Sequence, residues 1–217
     1  MPQTGWEFLL SQSSVNLRKI AQGSHRCYRT SMKLIPLLLC LALPLGLFAA
    51  EPPLKLQGID GKEHAPLEAE GKKAVLLFFV SPFCSTTRPF MPEINAIAKD
   101  YGDKVAVHLI HSDTEITPEV ALQHADMSKV TASVLVDKEQ SLAKQVKASI
   151  TPEAVILSPT GEILYKGRIN DLYLGPTKRQ RAATTQDLRL ALDAALSNQP
   201  IPSPQHEAQG CKIGGLK

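Results

Sequence analysis

The chain has 217 residues, with 24 Lys and Arg against 21 Asp and Glu and an apolar fraction of 43%, which fits one ordinary globular domain with extensions. The net charge of +3 misleads, because Arg18, Lys19, Arg26, Arg29 and Lys33 against Glu7 place +4 in residues 1–50 and leave −1 for the rest. A nearly neutral domain argues against nucleic acid as a partner, and the cluster Lys178, Arg179 and Arg181 reads as a solvated loop.

Met32-Lys33 followed by the apolar run Leu34 to Ala50 has the charged start, apolar centre and small-residue end of a secretory signal. Seventeen residues interrupted by Pro36, Pro44 and Gly46 are short for a membrane span, so the membrane enters only if this leader stays uncleaved. The division expected is therefore a leader over 1–50, with the signal at about 32–50 and removed, a domain over 51–197 and a tail over 198–217. Loss of the leader takes Cys27 and Cys40 with it and leaves Cys84 and Cys211, in a protein exported to a periplasmic or extracellular, oxidising compartment.

Leu54 to Gly61 alternates in polarity and turns at Asp60-Gly61, a short leading hairpin. Ala74 to Val80 is continuously apolar, the pattern of a strand covered on both faces, and Pro82 ends it. Ile94, Ile97 and Ala98 give helical spacing from about Glu93, with a stop near Gly102. Val105 to His111 is the next strand, parallel to the first through a right-handed crossover. His108 and His111 then point to opposite faces and form no metal pair. Thr117-Pro118-Glu119 starts a helix to about Met127. A strand over Val130 to Val136 and a short helix from Ser141 follow. Ala154 to Leu157, the turn Ser158 to Gly161 and Glu162 to Lys166 make a closing hairpin. Gly167 to Arg181 is a long connection, and Thr185 caps a last helix running to about Leu196.

Cys84 lies where the Ala74 to Val80 strand gives way to a helix. Unpaired amides and the positive end of the helix dipole favour a thiolate there, with Arg88 one turn on adding to the effect. The competing reading is a buried, inert cysteine. Cys211 stands on the permissive backbone of Gly210, behind the stiff spacer Pro200 to Pro204. At about 3.1 Å per extended residue, Asn198 to Cys211 spans on the order of 40 Å, enough to visit Cys84.

The strand, the Phe83-Cys84 pair at a helix start and Thr151-Pro152 ahead of Ala154 to Leu157 resemble the thioredoxin superfamily, in its redoxin and peroxiredoxin-like branch. The resemblance covers roughly Leu54 to Leu196. It implies an α/β fold with a mixed sheet flanked by helices, a cis proline at Pro152 facing Cys84, and no cofactor or metal. It also implies partners that are protein or small-molecule thiols and disulfides, with an external thiol reductant. Two departures stand out. Thr87 occupies the place of the second cysteine of Cys-x-x-Cys. Leu77 and Glu153 replace the proline and arginine of the peroxiredoxin pattern, of which Ser81 and Cys84 keep the rest.

The functional expectation is an exported thiol–disulfide oxidoreductase, with Cys84 as nucleophile, Cys211 as the thiol that resolves the mixed disulfide, and Thr87 and Arg88 beside the reacting sulfur. Phe83, Thr151, Pro152 and Arg168 would contact the substrate. A peroxidase of antioxidant type, with a sulfenic acid at Cys84, is the runner-up. The third reading is a binding module in which Cys84–Cys211 is a permanent staple, and a copper carrier using Cys84, Cys211 and His206 or His111 is a variant of it.

Overall fold

The structure is a computed structural model and describes residues 53–217; the expected leader falls outside the described residues. Fifteen elements follow in chain order: β1 (Leu56–Gly58), β2 (Glu63–His64), β3 (Ala74–Phe79), α1 (Thr87–Tyr101), β4 (Val105–His111), α2 (Pro118–Ser128), β5 (Ser133–Val136), α3 (Ser141–Gln145), β6 (Ile150–Thr151), β7 (Glu153–Leu157), β8 (Ile163–Gly167), β9 (Tyr173–Gly175), β10 (Lys178–Arg179), α4 (Asp187–Leu196) and β11 (Cys211–Lys212).

The main sheet runs β2-β1-β5-β4-β3-β7-β8. Its centre is β3, parallel to β4 and antiparallel to β7, with all six residues buried. Successive side chains on a strand face opposite ways, so the unbroken apolar run feeds two cores. Ala74, Leu76 and Phe78 pack with Ile94 and Ile97 of α1 and with Leu188 and Leu192 of α4. Val75, Leu77 and Phe79 pack with Leu142 and Ala143 of α3 and with Ile213 of the tail. The order β5-β4-β3 is built by two parallel crossovers through α1 and α2, and β7–β8 closes the sheet as a hairpin. This is the mixed sheet flanked by helices that the sequence implies.

Four local expectations are corrected. Helix α1 begins at Thr87 rather than Glu93. Pro89 falls in the first turn, where an N–H has no intrahelical partner, and Pro92 costs one backbone bond that the buried face of Phe90, Met91, Ile94 and Ile97 outweighs. Strand β5 starts at Ser133 rather than Val130. The long connection after Gly167 holds its own two-stranded ribbon, β9–β10.

The fourth concerns the start of α4. Thr185 is not the cap of that helix; its hydroxyl donates to Asp187 Oδ2 at 2.6 Å. Asp171 instead collects the amides of Thr184 and Thr185 at 2.6 and 2.9 Å and the Gln180 side chain at 2.9 Å. Burial works against its charge, but hydrogen bonds from Thr184, Thr185 and Gln180 outweigh that and hold the carboxyl well below the usual range.

Candidate functional site

The backbone leaving β3 turns tightly before α1. Val80 still bonds to Ile110, with N···O 3.0 Å, after which Phe83 N donates to Ser81 Oγ at 3.2 Å, Cys84 N to Ser81 O at 3.3 Å and Thr87 N to Cys84 O at 3.0 Å. Thr87 is buried, and its hydroxyl oxygen accepts from Ser81 N at 3.5 Å, so it ties the two ends of this loop together. The loop is thus fixed by its own polar groups, and it presents Cys84 to the chain segment opposite.

That segment is β6 and the turn after it. The Thr151–Pro152 peptide is cis, and the Thr151 carbonyl oxygen lies 3.0 Å from Cys84 Sγ. Strand β11 pairs antiparallel with β6, matching Cys211 to Thr151 and Lys212 to Ile150. Cys84 and Cys211 are joined in a disulfide, with their Cα atoms 5.8 Å apart. Cys84 is 3% exposed, whereas Cys211 is partly exposed.

The tail that delivers Cys211 is not a loose arm. Ile213 is buried in the second core, and its N–H donates to Ser149 O at 3.0 Å. Gly214 N donates to the Asp113 carboxylate, and Gln140 Nε2 donates to Gly214 O at 2.8 Å and to Ser112 O at 2.7 Å. Upstream, Arg168 N donates to His206 O at 3.0 Å. Gly210 is glycine for want of room rather than for its torsion: a Cβ there would fall on the Thr151 carbonyl oxygen and reach Pro152 Cδ at 3.2 Å. The tail thus has a berth as well as reach.

Two openings meet at Cys84. On the tail side, a cavity of about 420 Å³ is lined by Cys84, Cys211, Thr151, Asp113 and Lys212, among others. On the α2 side, a groove of about 460 Å³ is lined by Phe83, Cys84, Arg88, Gln123, His124 and Met127, among others. Phe83 is 65% and Met127 73% exposed, so the groove has an apolar rim.

The structure therefore brings Phe83, Cys84, Thr151, Pro152 and Cys211 together and sets exposed Arg88 on the groove wall. Arg168 is elsewhere. It pairs with Asp187 at 2.9 Å and donates to Thr185 Oγ1 at 3.3 Å, which pins α4 to the end of β8. The expectation that it touches the substrate is corrected accordingly. The expected amide cradle for Cys84 is also corrected, because the helix starts past it and the atom found beside Sγ is a carbonyl oxygen. Glu153 accepts from Ser149 N at 2.9 Å and lies 3.5 Å from Lys166 Nζ, so its carboxylate is engaged away from the cysteines. His111 is fully buried and His206 lies exposed beside Gly167. Among the described residues no group of three His, Cys, Asp or Glu side chains is arranged to hold a metal ion.

Asp113, Gln140 and Ile213 were not singled out in the sequence, nor was His124. The signal that could have found the anchored tail is Ile213 itself, since isoleucine is among the residues most often fully buried.

A mixed sheet with a cysteine ahead of α1 and a cis proline facing it defines a thioredoxin-superfamily protein of the redoxin branch. The chain belongs to the AhpC/TSA family, whose model matches residues 49–166. It is 30% identical over 139 residues to the thioredoxin-like protein YneN of Bacillus subtilis (strain 168), covering 63% of this chain and 76% of that one. It is 26% identical over 96 residues, 43% of this chain and 65% of the other, to the thiol-disulfide oxidoreductase YkuV of the same organism. Among solved structures, an uncharacterized conserved protein from Geobacillus kaustophilus superposes with a TM-score of 0.66 at 25% identity, covering 76% of this chain and 89% of that one. Family, fold and cysteine pair together support a redox function.

Proposed function

We propose that the chain is an exported thiol–disulfide oxidoreductase whose working couple is Cys84 and Cys211. The observation that carries this reading is the berth of the tail: backbone pairing, a buried isoleucine and a carboxylate latch hold Cys211 against Cys84 across 127 residues of sequence. In the dithiol state Cys84 attacks a substrate disulfide and releases one thiol, and Cys211 then displaces the second thiol from Cys84. The substrate disulfide gains two electrons and the protein disulfide forms. Two external thiols restore the dithiol, and the first of them meets the partly exposed Cys211 sulfur rather than the covered Cys84. Phe83 and the Thr151–Pro152 backbone line the approach.

Export rests on the leader read from the sequence; among the described residues no helix is long and apolar enough to cross a membrane. A peroxidase reading keeps Ser81 and Cys84 but has Glu153 where the peroxiredoxin pattern sets an arginine, and that carboxylate is committed to Ser149 and Lys166.

The test is to make Cys84→Ser and Cys211→Ser separately and to measure disulfide reduction and peroxide consumption. Cys84→Ser is expected to abolish disulfide reduction, and Cys211→Ser to accumulate a mixed disulfide on Cys84. Unchanged disulfide reduction in Cys84→Ser overturns the proposal. Peroxide consumption outpacing disulfide reduction replaces it with the peroxidase.

A further inference from the structure

His111 and His124 take no part in the scheme above, yet His124 lines the same groove as Cys84. The two rings meet edge to face, with centroids 5.2 Å apart and an interplanar angle of 71°. His124 Nδ1 lies 3.4 Å from His111 Nε2, and His111 Nδ1 lies 3.1 Å from the Val80 carbonyl oxygen, at the root of the Cys84 loop.

One fixed acceptor sets the protons along this chain. A carbonyl oxygen only accepts, so His111 carries its proton on Nδ1 and offers a bare Nε2 to its neighbour. His124 must then donate from Nδ1, which leaves a lone pair on its own Nε2. Burial, with the His124 charge adding to it, pushes His111 down to about 3, and burial lowers His124 as well, so both rings are neutral at neutral pH. The ionisable groups that share the groove with His124 are Arg88 and Cys84, from the first turn of α1 and the loop before it; Glu119 and Asp126 of α2 itself are exposed.

The same site creates a need for a base. The Thr151 carbonyl oxygen, 3.0 Å from Cys84 Sγ, is placed to accept from the S–H of the reduced protein and so favours thiol over thiolate. Among the described residues, that carbonyl oxygen is the hydrogen-bonding group found at the sulfur.

From this geometry we infer that His124 Nε2 is the base that takes the Cys84 proton when the reduced protein attacks a disulfide seated in the α2 groove. The inference rests on the reading of Cys84 as the attacking thiol. As the Cys84 sulfur bonds to one sulfur of the substrate, the substrate S–S bond breaks. The proton passes from Cys84 to His124 and on to the departing thiolate, which leaves as a thiol. His111 is a positioning residue: it fixes which nitrogen of His124 is free.

The experiment follows the attack of the reduced full-length protein on dithiodipyridine by stopped flow between pH 5 and about 10. His124→Gln is expected to be slower on the order of 100-fold near pH 7. It should converge with the parent where the thiol ionises unaided, above about pH 9, and added imidazole should restore rate in His124→Ala. A His124→Gln profile that superposes on the parent, or that falls by the same factor at every pH, overturns the inference. Nitrogen-resolved NMR of the unsubstituted protein is an independent check: both rings must be Nδ1–H tautomers at pH 7, and an Nε2–H form of His124 overturns it equally. If Cys84→Ser keeps the full rate, the oxidoreductase reading fails instead.

Discussion

Replacing Gly210 with alanine tests whether the tail is built into the site. The added Cβ would fall on the Thr151 carbonyl oxygen, with the carbonyl carbon at 2.8 Å and Pro152 Cδ at 3.2 Å. All three atoms belong to a backbone held by β6–β11 pairing and a proline ring, so no side-chain rotation relieves the clash. The tail must lift off. Two contributions to stability then go: about 2 kcal/mol from burying Ile213, and the disulfide, whose closure of a separation of 127 residues is worth about 5 kcal/mol in the chain-entropy model.

Urea melts of oxidised and reduced samples separate the two. The parent should lose roughly 4–5 kcal/mol on reduction, whereas Gly210→Ala should start lower and change little, with both thiols titrating free. Gly175→Ala is the control, because a Cβ there meets nothing, and it should stay within about 0.5 kcal/mol of the parent. A Gly210→Ala protein that oxidises fully and melts with the parent refutes the steric argument.

Buried neutral histidines make the fold acid-sensitive. Burial lowers His108 from 6.5 to about 4, and burial with the His124 charge lowers His111 to about 3. The unfolded chain therefore takes up protons that the folded one refuses. Stability is complete above about pH 6.5 and falls as pH drops from there toward the folded values, by about 2 kcal/mol per histidine at pH 5. Urea melts at pH 7.5 and 5 that coincide would contradict this. Asp171→Ala removes the acceptor for two backbone amides, a hydroxyl and an amide side chain at the start of α4, and should cost about 2–3 kcal/mol in the same melts. A loss under about 0.5 kcal/mol sinks that account. Phe83→Ala, at a side chain 65% exposed, should leave stability within about 0.5 kcal/mol. It should slow reduction of a protein disulfide more than that of a small one; equal slowing of both rules out a docking role.

Much of the fold was legible because one strand is so heavily buried. An unbroken apolar run such as Ala74 to Phe79, short, rich in Val and Phe and stopped by Pro82, fits the middle of a sheet covered on both sides, and the alternation of strand and helix signals around it leaves few topologies. The start of α1 was misread because Pro89 and Pro92 look like breakers in isolation; burial of Phe90, Met91 and Ile94 overrides that local signal. Cys84, Thr151 and Pro152 could be paired in advance only through the resemblance to the thioredoxin superfamily, which implies a cis proline facing the cysteine; their positions at the ends of elements agree with it but do not bring them together. Asp113, Gln140 and Gly214 could not, because their meeting depends on where a terminus returns, and no periodicity encodes that. The chemistry at Cys84 was likewise out of reach: a helix start promises amides, and only coordinates reveal that the sulfur faces a carbonyl oxygen instead.

Cys84–Cys211, as a working couple, must open and close in use. Equilibrating the protein against graded glutathione and dithiothreitol buffers and counting free thiols by mass spectrometry gives its reduction potential. The account predicts a value more oxidising than about −300 mV, within reach of physiological thiols; a value well below that marks a permanent structural bridge and contradicts it.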